Sequence, residues 1–292
     1  MFRGSFVAIV TPFREGGVDE DALRGLVRFH LENGTDGLVP CGTTGEAATL
    51  TAAEFDQVVG VVVGEVGGKV PVVAGTGTNN TAATVERSRR AKELGVDAVL
   101  VVTPYYNKPT QEGLYQHYQA VVKGAALPVV IYNVPGRTCG NILPETVERL
   151  ADLPEIVAVK EASGSLDQIG ELIGRVGERV AVLSGDDGLN FPIACLGGRG
   201  GISVLGNLVP ADNARLFRAV EEGRWEEARA LHHKYRRLVK ALFVETNPLP
   251  VKTALALMGK LQLEFRLPLC EMSAAGRAQL VETLVSYGLV DA

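Results

Sequence analysis

The sequence predicts an α/β protein, a (β/α)8 TIM barrel followed by a small C-terminal helical domain. Two observations lead to this prediction. First, eight short runs of Val, Ile, Leu and Ala recur along the chain up to Val204, and each precedes a turn rich in Gly, Thr, Pro or Asn and then an amphipathic segment. Second, the runs are apolar throughout rather than alternating with polar residues, which is typical of parallel strands covered on both faces.

The eight predicted strands start roughly 20 to 33 residues apart, the size of one strand and helix unit. They are residues 6–10, 37–40, 70–74, 98–102, 129–132, 157–160, 180–183 and 201–204. An open doubly wound sheet also alternates strands with helices. Its usual nucleotide site needs a GxGxxG after the first strand, and this chain has none. Eight regular units therefore favour the closed barrel.

The segments between the strands carry helix start and stop signals. Thr51 and Glu54 have the spacing of a capping box, and apolar residues follow at helical spacing. Asp19 is predicted to cap the preceding helix, which ends near Asn33 because Gly34 follows. The apolar faces of these helices are expected to pack on the barrel.

After Val204 the alternation of strands and helices stops. From Trp225 onward the pattern is helical only, so residues 1–224 are predicted to form the barrel and residues 225–292 the C-terminal helical domain. A last helix is predicted around residues 278–285. The first helix of this domain carries one apolar stripe, which consists of Trp225, Ala228, Leu231, Tyr235, Leu238 and Leu242.

Composition argues against several classes of protein. The 292 residues carry a net charge of −5, and the few Lys/Arg clusters, such as the one at residues 87–90, are predicted to lie on solvated helix faces. Nucleic acid is therefore not an expected partner. The four cysteines, at positions 41, 139, 195 and 270, have neither CxxC nor Cys/His ligand spacing, so neither zinc nor a disulfide framework is expected. No apolar stretch approaches about 20 residues, and the N-terminal one is too short for a signal peptide. We expect a cytoplasmic protein without a membrane span.

Lys160 is the strongest candidate for chemistry, because active sites of such barrels lie at the C-terminal ends of the strands. It ends the sixth run, and an apolar mouth would desolvate its ammonium and favour the neutral amine that adds to a carbonyl. On the Val-Lys dipeptide alone, a solvated lysine is the commoner interpretation. Tyr132 ends the fifth run and would bring a phenol able to transfer protons, although a tyrosine with its hydroxyl in water is equally common.

Two further segments suit the binding of carboxylates. The turn at residues 41–46 presents the hydroxyls of Thr43 and Thr44 together with several backbone N–H groups, and it lacks the lysine of a phosphate-binding loop. Arg137 follows Tyr132 in a Pro-Gly turn and offers a bidentate fork. On spacing alone, a surface arginine is a slightly better interpretation.

A metal site has weak support. The carboxylates near strand ends show no ligand spacing, and the Asp-Asp pair among them is better explained as a helix cap. They are Glu46, Glu161, Asp186 and Asp187. We expect no metal. A metal-dependent barrel enzyme remains an alternative, as does a barrel that binds a keto acid without catalysis.

The motifs taken in order resemble the pyruvate-dependent lyase/aldolase family over nearly the whole chain. They are GSFVAIVTPF, GTTGEAATL, PVVAGTGTN, VTPYYNKPTQEGLYQHY, YNVPGRT, VAVKEASG, LSGDD, GGISV and NPLPVK. The resemblance implies an imine between Lys160 and pyruvate, and a proton relay of Tyr132, Thr43 and Tyr106. It also implies that Tyr106 enters the neighbouring subunit's site, so the active unit is at least a dimer and commonly a homotetramer, a dimer of dimers.

The resemblance further implies the substrate contacts. Thr44 would bind the carboxylate of pyruvate, Gly185 and Ile202 would line the pocket, and Arg137 would bind the carboxylate of aspartate β-semialdehyde. The expected reaction condenses these two compounds at the start of diaminopimelate and lysine synthesis, without a cofactor. Relatives with the same lysine and tyrosine act on 2-keto-3-deoxy sugar acids or N-acetylneuraminate. Two threonines at 43 and 44, Tyr-Tyr-Asn at 105–107 and Arg137 favour the short aldehyde.

Feedback inhibition by lysine is expected to be weak or absent. Asn79 and Tyr105 match the lysine site of regulated relatives, but four other positions hold side chains that cannot pair with an ammonium. Where regulated enzymes place Ser, His, His or Lys, and Glu, this chain has Ala47, Ala52, Phe55 and Ala83.

Overall fold

A computed structural model describes residues 2–291, and eight parallel strands form its core. The strands, β1 to β8 in chain order, are Gly4–Val7, Gly37–Leu38, Val73–Gly75, Ala98–Val102, Val129–Asn133, Ile156–Glu161, Ala181–Ser184 and Gly200–Ser203. β1 pairs with β8 and β2, and the remaining strands pair with their neighbours in sequence. A bridge between Leu38 and Val72 connects β2 to the start of β3 and closes the circle. The predicted barrel is confirmed.

Three strands differ from the prediction by two or more residues at an end. β2 ends at Leu38 rather than at residue 40. β1 ends at Val7 rather than at residue 10, although the N–H of Ala8 still donates to the carbonyl of Ser203 over 3.0 Å. β3 begins at Val73 rather than at residue 70. Pro71 has no N–H and so cannot donate to a strand ladder, whereas its carbonyl accepts from the N–H of Leu38 over 3.0 Å.

A short hairpin after β1 was not predicted. Phe13–Arg14 and Gly17–Val18 pair in antiparallel fashion. The two residues between them, Glu15 and Gly16, have φ angles of 55° and 79°, the left-handed conformation that a tight two-residue turn requires. Strands of two residues are too short to leave a periodic pattern in a sequence.

Side chains along the barrel strands alternate between two apolar clusters. Tyr132 and Ala158 belong to the cluster inside the barrel, whereas Ile131 and Val159 belong to the cluster between the strands and the helices. Because successive residues of a strand point to opposite faces, Lys160 shares the interior with Ala158. Because of this alternation, the side chains of Lys160 and Tyr132 point into the barrel, where a substrate could reach them.

Twelve helices surround and extend the barrel within residues 2–291. They are α1 Glu20–Glu32, α2 Ala52–Val66, α3 Thr81–Glu93, α4 Gln111–Ala125, α5 Pro135–Thr138, α6 Pro144–Leu150, α7 Leu166–Val176, α8 Asn190–Cys195, α9 Pro210–Glu221, α10 Trp225–Leu242, α11 Leu249–Leu257 and α12 Ala274–Ser286. The predicted capping box is present, because Thr51 and Glu54 each accept from the other's backbone N–H. Asp19 caps α1 by accepting from Ala22 over 3.0 Å.

The C-terminal region is helical, as predicted, and α10 begins at Trp225. Five of the six stripe residues are buried, but Trp225 itself is 47% exposed because it occupies the first turn of the helix. The last helix, α12, begins at Ala274, four residues earlier than predicted. A division into domains at residue 225 stays a prediction.

Two other features bear on the expectations from composition. All four cysteines are unpaired thiols, with Cys41 buried and Cys139, Cys195 and Cys270 exposed. Between residues 2 and 291, the structure has no helix that is both long and apolar enough to span a bilayer.

Candidate active site

Lys160 and Tyr132 lie side by side inside the barrel. They are register partners on the neighbouring strands β5 and β6, and the Lys160 Nζ is 4.2 Å from the centroid of the Tyr132 ring. Both side chains are buried, at 6% and 7% exposure. Lys160 is therefore not the solvated lysine that its dipeptide alone suggests, and the candidate nucleophile lies against the candidate phenol.

Gly185 follows β7 and leaves room for the stem of Lys160. A Cβ at this position would lie 3.1 Å from the Cγ of Lys160 and 2.8 Å from the Cβ of Ala162. The second distance is shorter than real Cβ contacts, so a larger residue would displace its neighbours. Ile202, on β8, is 2% exposed and packs in the same interior cluster as Tyr132.

A cavity of about 430 Å³ opens at the C-terminal ends of the strands. Three of the predicted site residues line it, namely Thr43, Tyr132 and Arg137. Lys160 lies behind this lining, against the Tyr132 ring. Gly185 and Ile202 are not part of the wall either, so they border the lysine and the tyrosine rather than the cavity itself.

Thr44 is connected to the cavity through a residue that the sequence did not single out. Its side chain is 3% exposed, and its Oγ1 accepts a 3.0 Å hydrogen bond from the Nδ2 of Asn247. Asn247 lines the cavity, and its backbone carbonyl accepts from the guanidinium of Arg137 over 3.1 Å. The NPLPVK motif contains Asn247, but no local pattern relates it to a turn about two hundred residues earlier.

Tyr106 does not join these residues within one chain. It is 89% exposed, has a φ of 72°, and does not line the cavity, whereas its neighbour Tyr105 does. A positive φ is uncommon for a residue other than glycine.

The four carboxylates considered for a metal site each serve another partner. Glu46 forms a fully buried ion pair with Lys252, with 2.5 Å between its Oε1 and the Nζ of the lysine. Asp186 caps a short 3-10 turn at Asp187–Leu189 by accepting from Gly188 over 2.8 Å. Within residues 2–291, no three His, Cys, Asp or Glu side chains are grouped as metal ligands would be.

The other two carboxylates are buried in hydrogen-bond networks. Glu161 points away from Lys160 and accepts from the Nδ2 of Asn133 over 3.0 Å. Asp187 accepts from the backbone N–H groups of Val204 and Leu205 over 2.9 and 2.7 Å. Burial raises the pKa of each carboxyl group above its usual range, and these hydrogen bonds offset part of the increase. Their partners indicate roles in holding strand ends rather than in binding a ligand.

Comparisons with known sequences point to one family. A profile of the dihydrodipicolinate synthetase family matches residues 1–286. The chain is 54% identical over 290 residues to the 4-hydroxy-tetrahydrodipicolinate synthase of Thermodesulfovibrio yellowstonii, and this match covers 99% of this chain and 100% of that protein.

Solved structures agree with the sequence comparisons. The crystal structure of dihydrodipicolinate synthase from Aquifex aeolicus is 48% identical with a TM-score of 0.97, and the match covers 99% of each chain. The chloride-inhibited dihydrodipicolinate synthase from Acinetobacter baumannii, solved in complex with pyruvate, is 42% identical with a TM-score of 0.97 and covers 99% of this chain and 100% of that one. The fold and the family resemblance seen in the sequence both agree with these matches.

Proposed function

This chain belongs to the dihydrodipicolinate synthetase family, and from that premise we propose how its barrel condenses pyruvate with aspartate β-semialdehyde to give 4-hydroxy-tetrahydrodipicolinate. The enzyme is a lyase, and the reaction is the first committed step of the diaminopimelate and lysine pathway. The observation that carries the proposal is the buried Lys160 amine, 4.2 Å from the centroid of the Tyr132 ring at the C-terminal end of the barrel.

The reaction begins when the neutral amine of Lys160 adds to the C2 carbonyl of pyruvate. The carbinolamine loses water to give an imine, and the imine loses a proton from C3 to give an enamine. The enamine attacks the aldehyde carbon of the second substrate. The amino group of that substrate then adds to C2, and the Lys160 amine leaves as the ring closes. Every bond that Lys160 forms is broken again, so the proposal needs no cofactor.

Protons move through hydroxyl groups near the imine. Tyr132 lies against the lysine, and Thr43 lines the same cavity. A phenol in hydrogen-bond reach of the carbinolamine can protonate the departing hydroxyl and take the proton back later. Tyr106 supplies the third hydroxyl of the relay from a second copy of the chain.

Two binding groups hold the two carboxylates of the substrates. The hydroxyl of Thr44 donates to the carboxylate of pyruvate. Among residues 2–291, the guanidinium of Arg137 makes one hydrogen bond, to the carbonyl of Asn247. Its remaining N–H groups can therefore hold the carboxylate of the aldehyde. Gly185 and Ile202 shape the space around the lysine and the tyrosine.

A second copy of the chain completes the site. Tyr106 is 89% exposed and outside the cavity of its own chain, which is the position expected of a residue that serves a neighbour. We place the enzyme in a homotetramer built as a dimer of dimers. Because four unpaired thiols suit a reducing compartment, we place it in the cytoplasm.

Lysine does not regulate this enzyme in our proposal. Phe55 is 4% exposed, and the guanidinium of Arg87 lies over its ring at 5.6 Å. The charged group at this position is therefore a cation, which cannot accept a hydrogen bond from an ammonium. Ala47 and Ala83 likewise offer no side-chain acceptor to an ammonium. Activity in a coupled assay should be unchanged by millimolar L-lysine, whereas inhibition at submillimolar lysine would contradict this part of the proposal.

Steady-state rates on competing substrates test the proposed reaction. With pyruvate present, kcat/KM for aspartate β-semialdehyde should exceed the values for cleavage of 2-keto-3-deoxy sugar acids and N-acetylneuraminate by several orders of magnitude. Arg137→Leu should remove most of this preference while leaving the capture of pyruvate intact. Faster turnover of a sugar acid would make the chain an aldolase on the same scaffold.

A further inference from the structure

Asn247 stands between the two proposed carboxylate-binding residues. Its side-chain Nδ2 donates to the Oγ1 of Thr44 over 3.0 Å, and its backbone carbonyl accepts from the guanidinium of Arg137 over 3.1 Å. The side chain is 6% exposed and lines the cavity. One residue of the C-terminal region therefore contacts both sites, although it precedes α11 and belongs to no strand of the barrel.

The hydrogen bond to Thr44 fixes the direction of the hydroxyl. An amide nitrogen can only donate, so the Thr44 oxygen must accept, and its single proton stays available for another acceptor. Thr44 is 3% exposed, which leaves little access for water to that proton. An anionic oxygen placed beside it would supply the missing acceptor.

An unpaired atom in the wall of the cavity indicates that Asn247 contacts a ligand as well as packing. Its Oδ1 is buried and has no hydrogen-bond partner within residues 2–291. Buried polar atoms are nearly always paired, so an unpaired one requires an explanation. The unpaired Oδ1 of Asn247 lies in the cavity wall, between Thr44 and Arg137, which are the two proposed carboxylate-binding residues.

We propose that Asn247 is a positioning residue for substrate recognition: it orients the Thr44 hydroxyl to donate to the carboxylate of pyruvate. The inference rests on the proposed function and deepens it. A substitution of the Asn247 side chain should affect pyruvate more than the aldehyde. Arg137 is held by the backbone carbonyl of Asn247, which such a substitution leaves in place.

The test measures how pyruvate binds to variants of the two residues. Asn247→Leu, which keeps the approximate volume but removes the donor, should raise the pyruvate concentration for half-maximal borohydride trapping about 10-fold, as expected for the loss of a hydrogen bond that serves a charged group. Asn247→Asp replaces the donor with an acceptor, so the Thr44 hydroxyl would donate to residue 247 rather than to the substrate. This variant should raise the half-saturating pyruvate concentration further. The KM for the aldehyde should change much less.

A double-mutant cycle shows whether Asn247 acts through Thr44. If it does, Thr44→Val with Asn247→Leu should bind pyruvate no more weakly than Thr44→Val alone, since the group that Asn247 orients is already gone. Additive losses, or unchanged pyruvate binding in Asn247→Leu, would overturn the inference.

Asn213 provides a matched control for stability. It is also buried with an unpaired Oδ1, and its Nδ2 donates to the Oγ of Ser5 over 2.7 Å. Asn213→Leu should lower the melting temperature without shifting the half-saturating pyruvate concentration. Should Asn247→Leu fail to fold, Asn247→Ala gives the same comparison with a smaller side chain that also lacks the donor. If the unaltered enzyme traps no pyruvate, the proposed function fails as well, whereas normal trapping with an additive cycle sinks this inference alone.

Discussion

Two lysines are buried among the described residues, and they differ in their charged partners. Lys252 is fully buried and forms an ion pair with Glu46; burial lowers its pKa, and the carboxylate offsets part of this shift. Lys160 is 6% exposed and belongs to no ion pair formed by the described residues 2–291. An amine without a carboxylate partner can react with a carbonyl without first breaking an ion pair.

The space around Lys160 depends on the absence of a side chain at residue 185. Gly185→Ala would place a Cβ 2.8 Å from that of Ala162 and 3.1 Å from the Cγ of Lys160. We expect kcat/KM to fall roughly 10- to 100-fold, because small displacements of a reacting group are costly. Steady-state kinetics measure the loss.

Gly174→Ala is the control for the effect of adding a methyl group. Gly174 lies within α7 and has open space where the Cβ would go. This variant should keep full activity and be as stable as the unaltered protein or slightly more so. Equal activity in both variants would contradict the role assigned to Gly185.

At the scale of elements, the turn that carries Thr43 and Thr44 is held in place by a contact with a helix of the C-terminal region. Glu46 closes this turn with a φ of 53°, a conformation that residues other than glycine adopt only when their surroundings hold them. Its ion pair with Lys252 of α11 supplies that hold. The ring of Phe13, from the hairpin, lies 4.1 Å from the lysine Nζ.

Removing one partner of this pair should destabilise the protein strongly. Lys252→Met leaves the Glu46 carboxylate buried and unpaired, which costs about 3 to 5 kcal/mol in the free energy of unfolding. Adding Glu46→Leu should recover much of this lost stability, because the double variant no longer buries an unpaired charge. Urea unfolding followed by circular dichroism measures both variants.

The surface pair of Lys234 and Asp212 gives the matched control for the buried one. Its Nζ and Oδ2 are 2.7 Å apart, but the lysine side chain is 53% exposed. Lys234→Met should therefore cost at most about 1 kcal/mol. A similar cost for Lys252→Met would mean that the buried pair does not hold the turn.

The sequence predicted those features that depend on neighbouring residues. Apolar runs located the eight strands because each strand is buried on both faces, and the capping box at Thr51 was visible because its two partners are three residues apart. The hairpin at Phe13 was missed because its strands are too short for a pattern. Asn247 and the Glu46 pair were missed because their partners lie about two hundred residues away and only the closed barrel brings them together.

At the scale of the whole molecule, the candidate site lies where the barrel meets the C-terminal region. The barrel supplies Lys160 and Tyr132, and the C-terminal region supplies Asn247 and Lys252. Tyr106 lies outside the cavity of its own chain, so in our account a second copy supplies it. Activity would then depend on assembly as well as on folding.

Complementation between inactive variants tests this sharing of residues. Lys160→Ala and Tyr106→Ala should each lose most activity as homo-oligomers. In a mixed dimer, the Tyr106→Ala subunit keeps its own lysine and receives Tyr106 from its partner, so one of the two sites is complete. Random reassortment of equal amounts should restore about a quarter of normal activity, because half of the dimers are mixed and each has one complete site.

Tyr106→Phe separates the hydroxyl from the aromatic ring. This variant should assemble normally and lose activity comparable to Tyr106→Ala if the hydroxyl takes part in the relay. No recovery of activity on mixing, once mass spectrometry has verified that the subunits have exchanged, would mean that the residue acts within its own chain.

The central claim is the imine between Lys160 and pyruvate, and borohydride trapping tests it most directly. With pyruvate and borohydride, intact-mass spectrometry should record one reduced pyruvyl group per chain, and peptide mapping should locate it at Lys160. Lys160→Ala should show no addition, and Lys160→Arg should show none either. An unchanged mass in the unaltered enzyme, or a modification mapped to Lys252 or another lysine, would contradict the account.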